Sequence, residues 1–213
     1  MFVMAITGAS GSGKSTLAEA LREALVSDEQ ESQVQIISED FYYADHSQLT
    51  FEQRGQLNFD HPSAIDHPRL QQDLVELKQS GKVSIPQYCF KQHLREPKTR
   101  LIKQPKVLIL EGLHLMYDPN IRNEIDFSVY LDAPLDLCFI RRLQRDQQQR
   151  GRASDDIIRQ YLEQVRPMFL EFIARGKSKA DVVLSGESPI DSLVEDILSQ
   201  PHLSQITHRI KNK

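Results

Sequence analysis

Gly8-Ala9-Ser10-Gly11-Ser12-Gly13-Lys14-Ser15-Thr16 fits the pattern G-x-x-x-x-G-K-S/T of a phosphate-binding P-loop. Its flanks are those the motif requires. Phe2 to Thr7 reads as a short buried strand. Ser15 to Val26 reads as a helix, with Leu17, Leu21, Ala24 and Leu25 recurring on one face. A strand, a glycine-rich turn and a helix start make an anion cradle. The glycines let successive N–H groups face one point, and the helix N-terminus adds unsatisfied donors and its positive dipole end. Lys14 is expected to reach the β- and γ-phosphates, and the Ser15 hydroxyl to hold Mg²⁺. Gly8 to Thr16 is therefore the expected nucleoside triphosphate site.

The bulk numbers narrow the class. A chain of 213 residues can bury one full core. We expect a single P-loop domain over residues 1–200, a hairpin insertion near 83–102, a lid near 135–153 and a polar tail at 201–213. The formal net charge of −4 gives no basic field for nucleic acid. No apolar run reaches membrane-spanning length. The apolar start lacks a basic n-region and runs straight into the P-loop strand, so it does not read as a signal peptide. Cys89 and Cys138 lack metal-ligand spacing and read as buried or half-buried thiols of a reducing compartment, the cytoplasm.

Working outward, Asp28 to Ser32 reads as a polar loop. Val34 to Ser38 is a second strand, ending in Glu39-Asp40. Ligands in open α/β sheets bind at the C-terminal ends of strands, which makes Asp40 a candidate general base or metal partner. Glu39, pointing the other way, reads as a solvated strand-end acid. Residues 41–62 are loop-rich and aromatic; such rings could stack a base or pin the loop to the core. Ser63 to Gln79 reads as a helix stopped by Gly81, with Pro68 near its first turn. Val83 to Phe90 and Thr99 to Ile102 read as a hairpin with His93 and Arg95 at its tip; by spacing alone His93 reads as merely exposed.

Val107 to Gly112 is a continuous apolar strand closed by Glu111. It has the form of a Walker B strand, so Glu111 is expected to face Mg²⁺ directly or through water. After a further strand, Phe127 to Leu131, the chain carries Arg141, Arg142, Arg145, Arg150 and Arg152 about a helical turn apart. Asp136 and Asp146 are too few to pair them all one to one, which favours a lid that closes over phosphates. Ser154 reads as an N-cap of a helix presenting Ile158, Tyr161, Leu162 and Val165, broken or kinked at Pro167. Asp181 to Leu184 is a last strand. Ser188 to Asp191 reads as a capping box before a final apolar-faced helix. Beyond Pro201 the tail reads as poorly ordered. Alternating strands and helices give an α/β P-loop NTPase fold, a parallel sheet with helices on both faces.

These residues together carry a resemblance. The chain resembles the uridine kinases of the phosphoribulokinase/uridine kinase group from about residue 3 to residue 184. The matching stretches are Gly8 to Ser15, Asp40 to Tyr43, Asn58 to Asp66, and Pro86 to Phe90 with His93 and Arg95. Leu110-Glu111-Gly112, Arg141-Arg142-x-x-Arg145-Asp146, Arg150-Gly151-Arg152 and Val165 to Phe169 complete the set.

The resemblance implies transfer of the γ-phosphoryl of ATP or GTP, with Mg²⁺, to the 5′-hydroxyl of uridine or cytidine, a pyrimidine salvage reaction. It implies Asp40 beside that hydroxyl and Asp60 on the ribose hydroxyls. Phe59, Tyr88 and His93 would frame the pyrimidine, His93 bonding its edge. Arg142, Arg152 and Gln160 would approach the nucleoside, and Arg145 and Arg150 the phosphates. It also implies a homo-oligomer, a tetramer. The loop Ser185-Gly186-Glu187-Ser188 departs from the arginine-glycine pair expected of relatives, so ATP and GTP both stay open as donors. Two other readings stand beside this one: a related kinase for another hydroxyl substrate, such as a sugar phosphate or pantothenate, and a nucleotide-binding regulator without turnover.

Overall fold

The computed structural model describes residues 1–26 and 33–203. Five strands form one parallel sheet in the order β2-β5-β1-β6-β7. They are β1 (Phe2–Gly8), β2 (Val34–Ser38), β5 (Val107–Gly112), β6 (Phe127–Asp132) and β7 (Val182–Ser185). β3 (Lys82–Cys89) and β4 (Leu94–Lys103) make a separate antiparallel hairpin. The register brings functional ends into line. Thr7 pairs Gly112, Ser38 pairs Glu111, and Gly8 pairs Leu131. The P-loop, the Asp40 turn and Glu111 thus leave the sheet along one edge, the crevice where such sheets bind ligands.

Strand period fixes which helix covers which face. In β1, Met4 and Ile6 point one way and Val3 and Ala5 the other, all at 0% exposure. Met4 and Ile6 join Leu17 and Leu21 of α1 (Lys14–Leu25) and Leu193 and Ile197 of α8 (Ile190–Leu198). Val3 and Ala5 join Leu70, Leu74 and Leu77 of α3 (His67–Ser80) and Ile85 and Ile102 of the hairpin. Each of the buried Val, Leu, Ile and Met side chains among these contributes about 1.5–3 kcal/mol. Both faces of the sheet are covered, as the alternating pattern predicts.

Several local expectations are corrected. A short α2 (Phe51–Gly55) follows Thr50, whose side chain and Gln53 form a capping box. The helix expected from Ser63 splits into a single 3₁₀ turn (Pro62–Ala64) and α3, because the Asp66 side chain caps Arg69 N–H and Pro68 suits the first turn. β4 begins at Leu94, five residues ahead of Thr99. Ser154 is not the N-cap of α6 (Ser154–Gln160); Ala153 holds that position and the Ser154 hydroxyl accepts from Gln147 Nε2 instead. Ser188 forms no capping box, since α8 starts after Pro189 with no side-chain cap.

The helix at Pro167 does not break. It stays helical from Ser154 to Ile173, with π turns at Tyr161–Val165 and Phe169–Ile173 flanking α7 (Arg166–Met168). Wider turns relieve the missing proline donor and its crowded carbonyl. Ile157, not Ile158, is the buried residue of α6, and Ile158 and Leu162 are exposed.

Cys89 and Cys138 are free, half-buried and buried as expected. Pro201 to Leu203 are helical with Leu203 buried, against the disorder expected beyond Pro201. The Asp28 to Ser32 loop and the rest of the tail lie outside the described residues. Among the described residues, no helix is long and apolar enough to cross a membrane.

Candidate active site

The P-loop is held in the conformation its glycines permit. Gly11 has φ +86° and Gly13, the N-cap of α1, has φ +105°, values that favour residues without a Cβ. A Cβ on Gly11 would overlap the Cys138 carbonyl of α5 (Leu135–Arg150). The loop therefore packs directly against the arginine-bearing helix. Lys14 Nζ donates to Ala9 O at 2.8 Å across the loop. Burial pushes the Lys14 pKa down, opposed by the charges of Glu111 and Asp40.

Three acidic or hydroxyl groups meet at the end of the cradle. Ser15 Oγ donates to Glu111 Oε2 at 3.2 Å. Asp40 sits in a 3₁₀ turn (Glu39–Tyr42) begun by Ser38, whose hydroxyl accepts from Asp40 N–H. Burial raises the Asp40 carboxyl to about 7, with the charges of Glu111 and Glu39 adding to it and Lys14 opposing. No group of three or more His, Cys, Asp or Glu side chains capable of holding a metal occurs among the described residues. Two carboxylates and a hydroxyl are a sparse, hard oxygen set. That set suits Mg²⁺, which keeps waters and takes phosphate oxygens, and not an ion needing an all-protein cage.

The arginines are organised by one acid. Asp146 is 0% exposed. Its carboxylate lies 2.9 Å from Arg145, 3.3 Å from Arg152, 3.5 Å from Arg150 and 3.8 Å from Arg142. Burial alone would raise this carboxyl, but the charges of Arg145, Arg150 and Arg142 outweigh it and hold the pKa below the usual range. Arg142 also donates to Ser10 Oγ at 2.9 Å and Gln160 Oε1 at 3.1 Å, and lies 3.6 Å from Asp60. Arg152 shares the same Gln160 oxygen at 2.7 Å. Arg141 donates to the Ser12 and Gly186 carbonyls and makes no ion pair among the described residues. The Arg150 guanidinium lies 4.8 Å over the Phe90 ring, linking α5 to the hairpin.

Aromatic rings build the far end. Phe59 and His93 stack with centroids 5.2 Å apart and planes 17° apart. Tyr43 packs against both Phe59 and Tyr88. His93 has φ +50°, and burial followed by the Arg152 and Arg150 charges lowers its pKa. A neutral imidazole at neutral pH can both donate and accept one hydrogen bond. His93 is therefore packed into the site and is not the exposed tip residue that spacing alone suggested.

A single cleft of about 1030 Å³ is lined by Ser10 to Thr16, Asp40, Phe59, Asp60, Tyr88, His93, Glu111, Arg142, Arg145, Arg150, Arg152 and Gln160. Of the residues singled out from sequence, Gly8, Ala9 and Arg95 stand outside it; a Cβ on Gly8 would overlap the Leu131 carbonyl, and Arg95 donates instead to the Tyr43 carbonyl at 2.8 Å. The cleft also takes in Arg141 of the arginine run, Gly186 and Ser188 of the loop after β7, and Tyr43, Ile190 and Leu193, to which the sequence assigns no site role. The sequence reading misreads Glu39, which is 1% exposed and bonded to His67 and His114, not solvated.

Fold and cleft together define a P-loop phosphotransferase. A family model described as phosphoribulokinase / uridine kinase matches residues 3–190. The chain is 46% identical over 182 residues to the uridine kinase of Shewanella amazonensis, covering 85% of this chain and 86% of that protein. The uridine kinase of Shewanella frigidimarina matches at 46% with the same coverage. Among solved structures, the phosphoribulokinase of Rhodobacter spheroides superposes with a TM-score of 0.62 at 16% identity, covering 89% of this chain and 73% of that one. That likeness concerns the fold alone. The chain belongs to the phosphoribulokinase/uridine kinase family.

Proposed function

We infer that this protein phosphorylates the 5′-hydroxyl of uridine or cytidine with the γ-phosphoryl of ATP or GTP. The observation that carries this reading is the two-ended cleft. A phosphate cradle with Asp40 and Glu111 fills one end, and an aromatic pocket with Asp60 fills the other. Two flat faces, Phe59 and Tyr88, with an imidazole edge at His93, suit a planar base. Asp60 beside them suits ribose hydroxyls. Asp40, a carboxylate at the end of the phosphate cradle, suits accepting the hydroxyl proton as the phosphoryl leaves. Phosphoryl transfer asks mainly for positioning and charge neutralisation, which Lys14, Arg145 and Arg150 supply.

Ser15, Asp40 and Glu111 are the residues that would hold Mg²⁺. When bound, the ion neutralises charge on the transferring phosphoryl group. The patch formed by Gly186, Ser188, Ile190 and Leu193 is the end left for the donor base. A sugar-phosphate acceptor is disfavoured because Arg142 and Arg152 of the cleft already pair with Asp60, Asp146 and Gln160. A tetramer and a cytoplasmic location belong to the same reading.

The test is ADP release with uridine, cytidine, deoxyuridine and ribulose 5-phosphate in parallel, each with ATP and Mg²⁺. Turnover confined to uridine and cytidine is the expected result. Turnover on ribulose 5-phosphate alone, or none at all with ATP still bound, overturns it. His93→Ala should raise the KM for uridine about 10- to 100-fold, the weight of one or two hydrogen bonds and a stacking face, with the ATP KM nearly unchanged. A rise in the ATP KM alone would sink the pyrimidine assignment.

A further inference from the structure

Glu39 is a buried acid that the mechanism does not use. It is 1% exposed and does not line the cleft. Its carboxylate accepts from His67 Nε2 at 3.0 Å and from the His114 backbone N–H at 2.8 Å. The His114 ring in turn donates through Nε2 to the Asp60 carbonyl at 3.0 Å. His67 and His114 are 6% and 1% exposed. A buried ionised group costs several kcal/mol unless it is fully bonded, so an apolar residue here would be the cheaper way to fill the space.

The partners are placed at three structural junctions. Glu39 precedes Asp40 in the same 3₁₀ turn. His114 follows Glu111 by three residues, on the segment leaving β5. His67 is the first residue of α3. The fit is close: a Cβ on Gly112 would overlap the Glu39 carboxylate. Burial would raise the Glu39 carboxyl, but the His67 hydrogen bond, the charges of His114 and His67 and the His114 N–H together hold it below its usual value.

We propose that Glu39, with His67 and His114, is a positioning network that sets Asp40, Asp60 and the turn after Glu111 in one frame, and so governs the nucleoside end of the cleft. The inference rests on the nucleoside kinase reading above. None of the three side chains touches the reactants. Glu39 fixes the turn bearing Asp40, and His114 fixes the main chain of Asp60. Among the described residues, the side-chain hydrogen bonds of Glu39, His67 and His114 run to one another and to Asp60, and none reaches the cradle residues Gly8 to Thr16.

Three measurements decide it: kcat and KM for uridine, and the affinity for a fluorescent ATP analogue. Glu39→Ala should lower kcat about 30-fold or more and raise the uridine KM about 10-fold, the scale of losing one or two charge-assisted hydrogen bonds. Affinity for the ATP analogue should stay within about threefold. Glu39→Gln can still accept from His114 N–H and donate to His67, so it should restore values to within about fivefold of wild type. If Glu39→Ala fails to fold, His114→Leu against His114→Gln carries the test, since only glutamine can donate to the Asp60 carbonyl. His114→Leu should raise the uridine KM and His114→Gln should not. A loss of melting temperature alone, with both KM values and kcat per folded molecule unchanged, overturns the proposal. So does a loss of ATP-analogue affinity equal to that for uridine. A wild-type protein inactive on uridine would instead refute the kinase reading.

Discussion

Asp40→Asn is expected to lower kcat for uridine about 10²- to 10⁴-fold, the range of a lost general base, with nucleotide affinity largely retained. The same substitution should stabilise the metal-free, nucleotide-free protein. The Asp40 carboxyl titrates at about 7 in the fold and near ~3.9 in the unfolded chain. Below about pH 4 both states hold the proton and the group contributes no difference. From about pH 4 to pH 7 the unfolded chain has lost a proton that the fold retains, so wild-type stability declines as pH rises through this window and levels off above it. Asparagine does not titrate, and its advantage should grow across the same window. The cleft admits water, so we expect about 1–2 kcal/mol at pH 8, less than the full shift implies. That is a melting temperature higher by roughly 2–8 °C, with little difference at pH 4. Near-normal kcat in the variant would remove Asp40 as base, and an unchanged melting temperature at pH 8 would contradict the raised carboxyl assigned to it.

Asp146→Ala should have the larger effect on stability. Asp146 is the acid common to Arg142, Arg145, Arg150 and Arg152, and Arg142 is itself only 6% exposed. Removing the carboxylate leaves a buried guanidinium short of a counter-charge, a loss of about 3–5 kcal/mol where one partner of a buried pair is deleted. A fall in melting temperature of about 6–20 °C follows for a chain of this size. The surviving folded enzyme should also lose kcat, because Arg145 and Arg150 are no longer held in place by Asp146. Asp146→Asn keeps the shape and two acceptor lone pairs, and should fall between alanine and wild type. A melting temperature within about 2 °C of wild type in Asp146→Ala would show that the arginines hold one another's positions by other means.

What could be read from sequence follows from the range of each interaction. The P-loop, β1 and α1 form from contiguous residues, and their pattern declares them. The apolar run of β5 and the acid that ends it are equally local. Glu39 was misread because its partners lie 28 and 75 residues away; a strand-end acid has no local mark of burial. The arginine helix was read correctly as a cluster, but its charge balance was not. Counting acids against arginines assumes one partner each, while a carboxylate has about four acceptor sites. The inward side of the helix from Ser154 carries Ile157 and Val165 while Ile158 and Leu162 are exposed; two adjacent isoleucines leave the facing ambiguous, and the π turn at Tyr161–Val165 shifts the phase beyond them. The rings of Tyr43, Phe59 and Tyr88 meet only once the hairpin folds onto the loop after β2.

Arg142 touches both halves of the cleft, Ser10 in the phosphate loop and Asp60 in the aromatic pocket. One planar group is thus held by both halves at once. Any shift of its guanidinium on filling one end changes what the opposite end offers to its own ligand. The affinities of the two ligands are then thermodynamically linked, and the factor by which nucleoside alters nucleotide affinity must equal the factor measured the other way round.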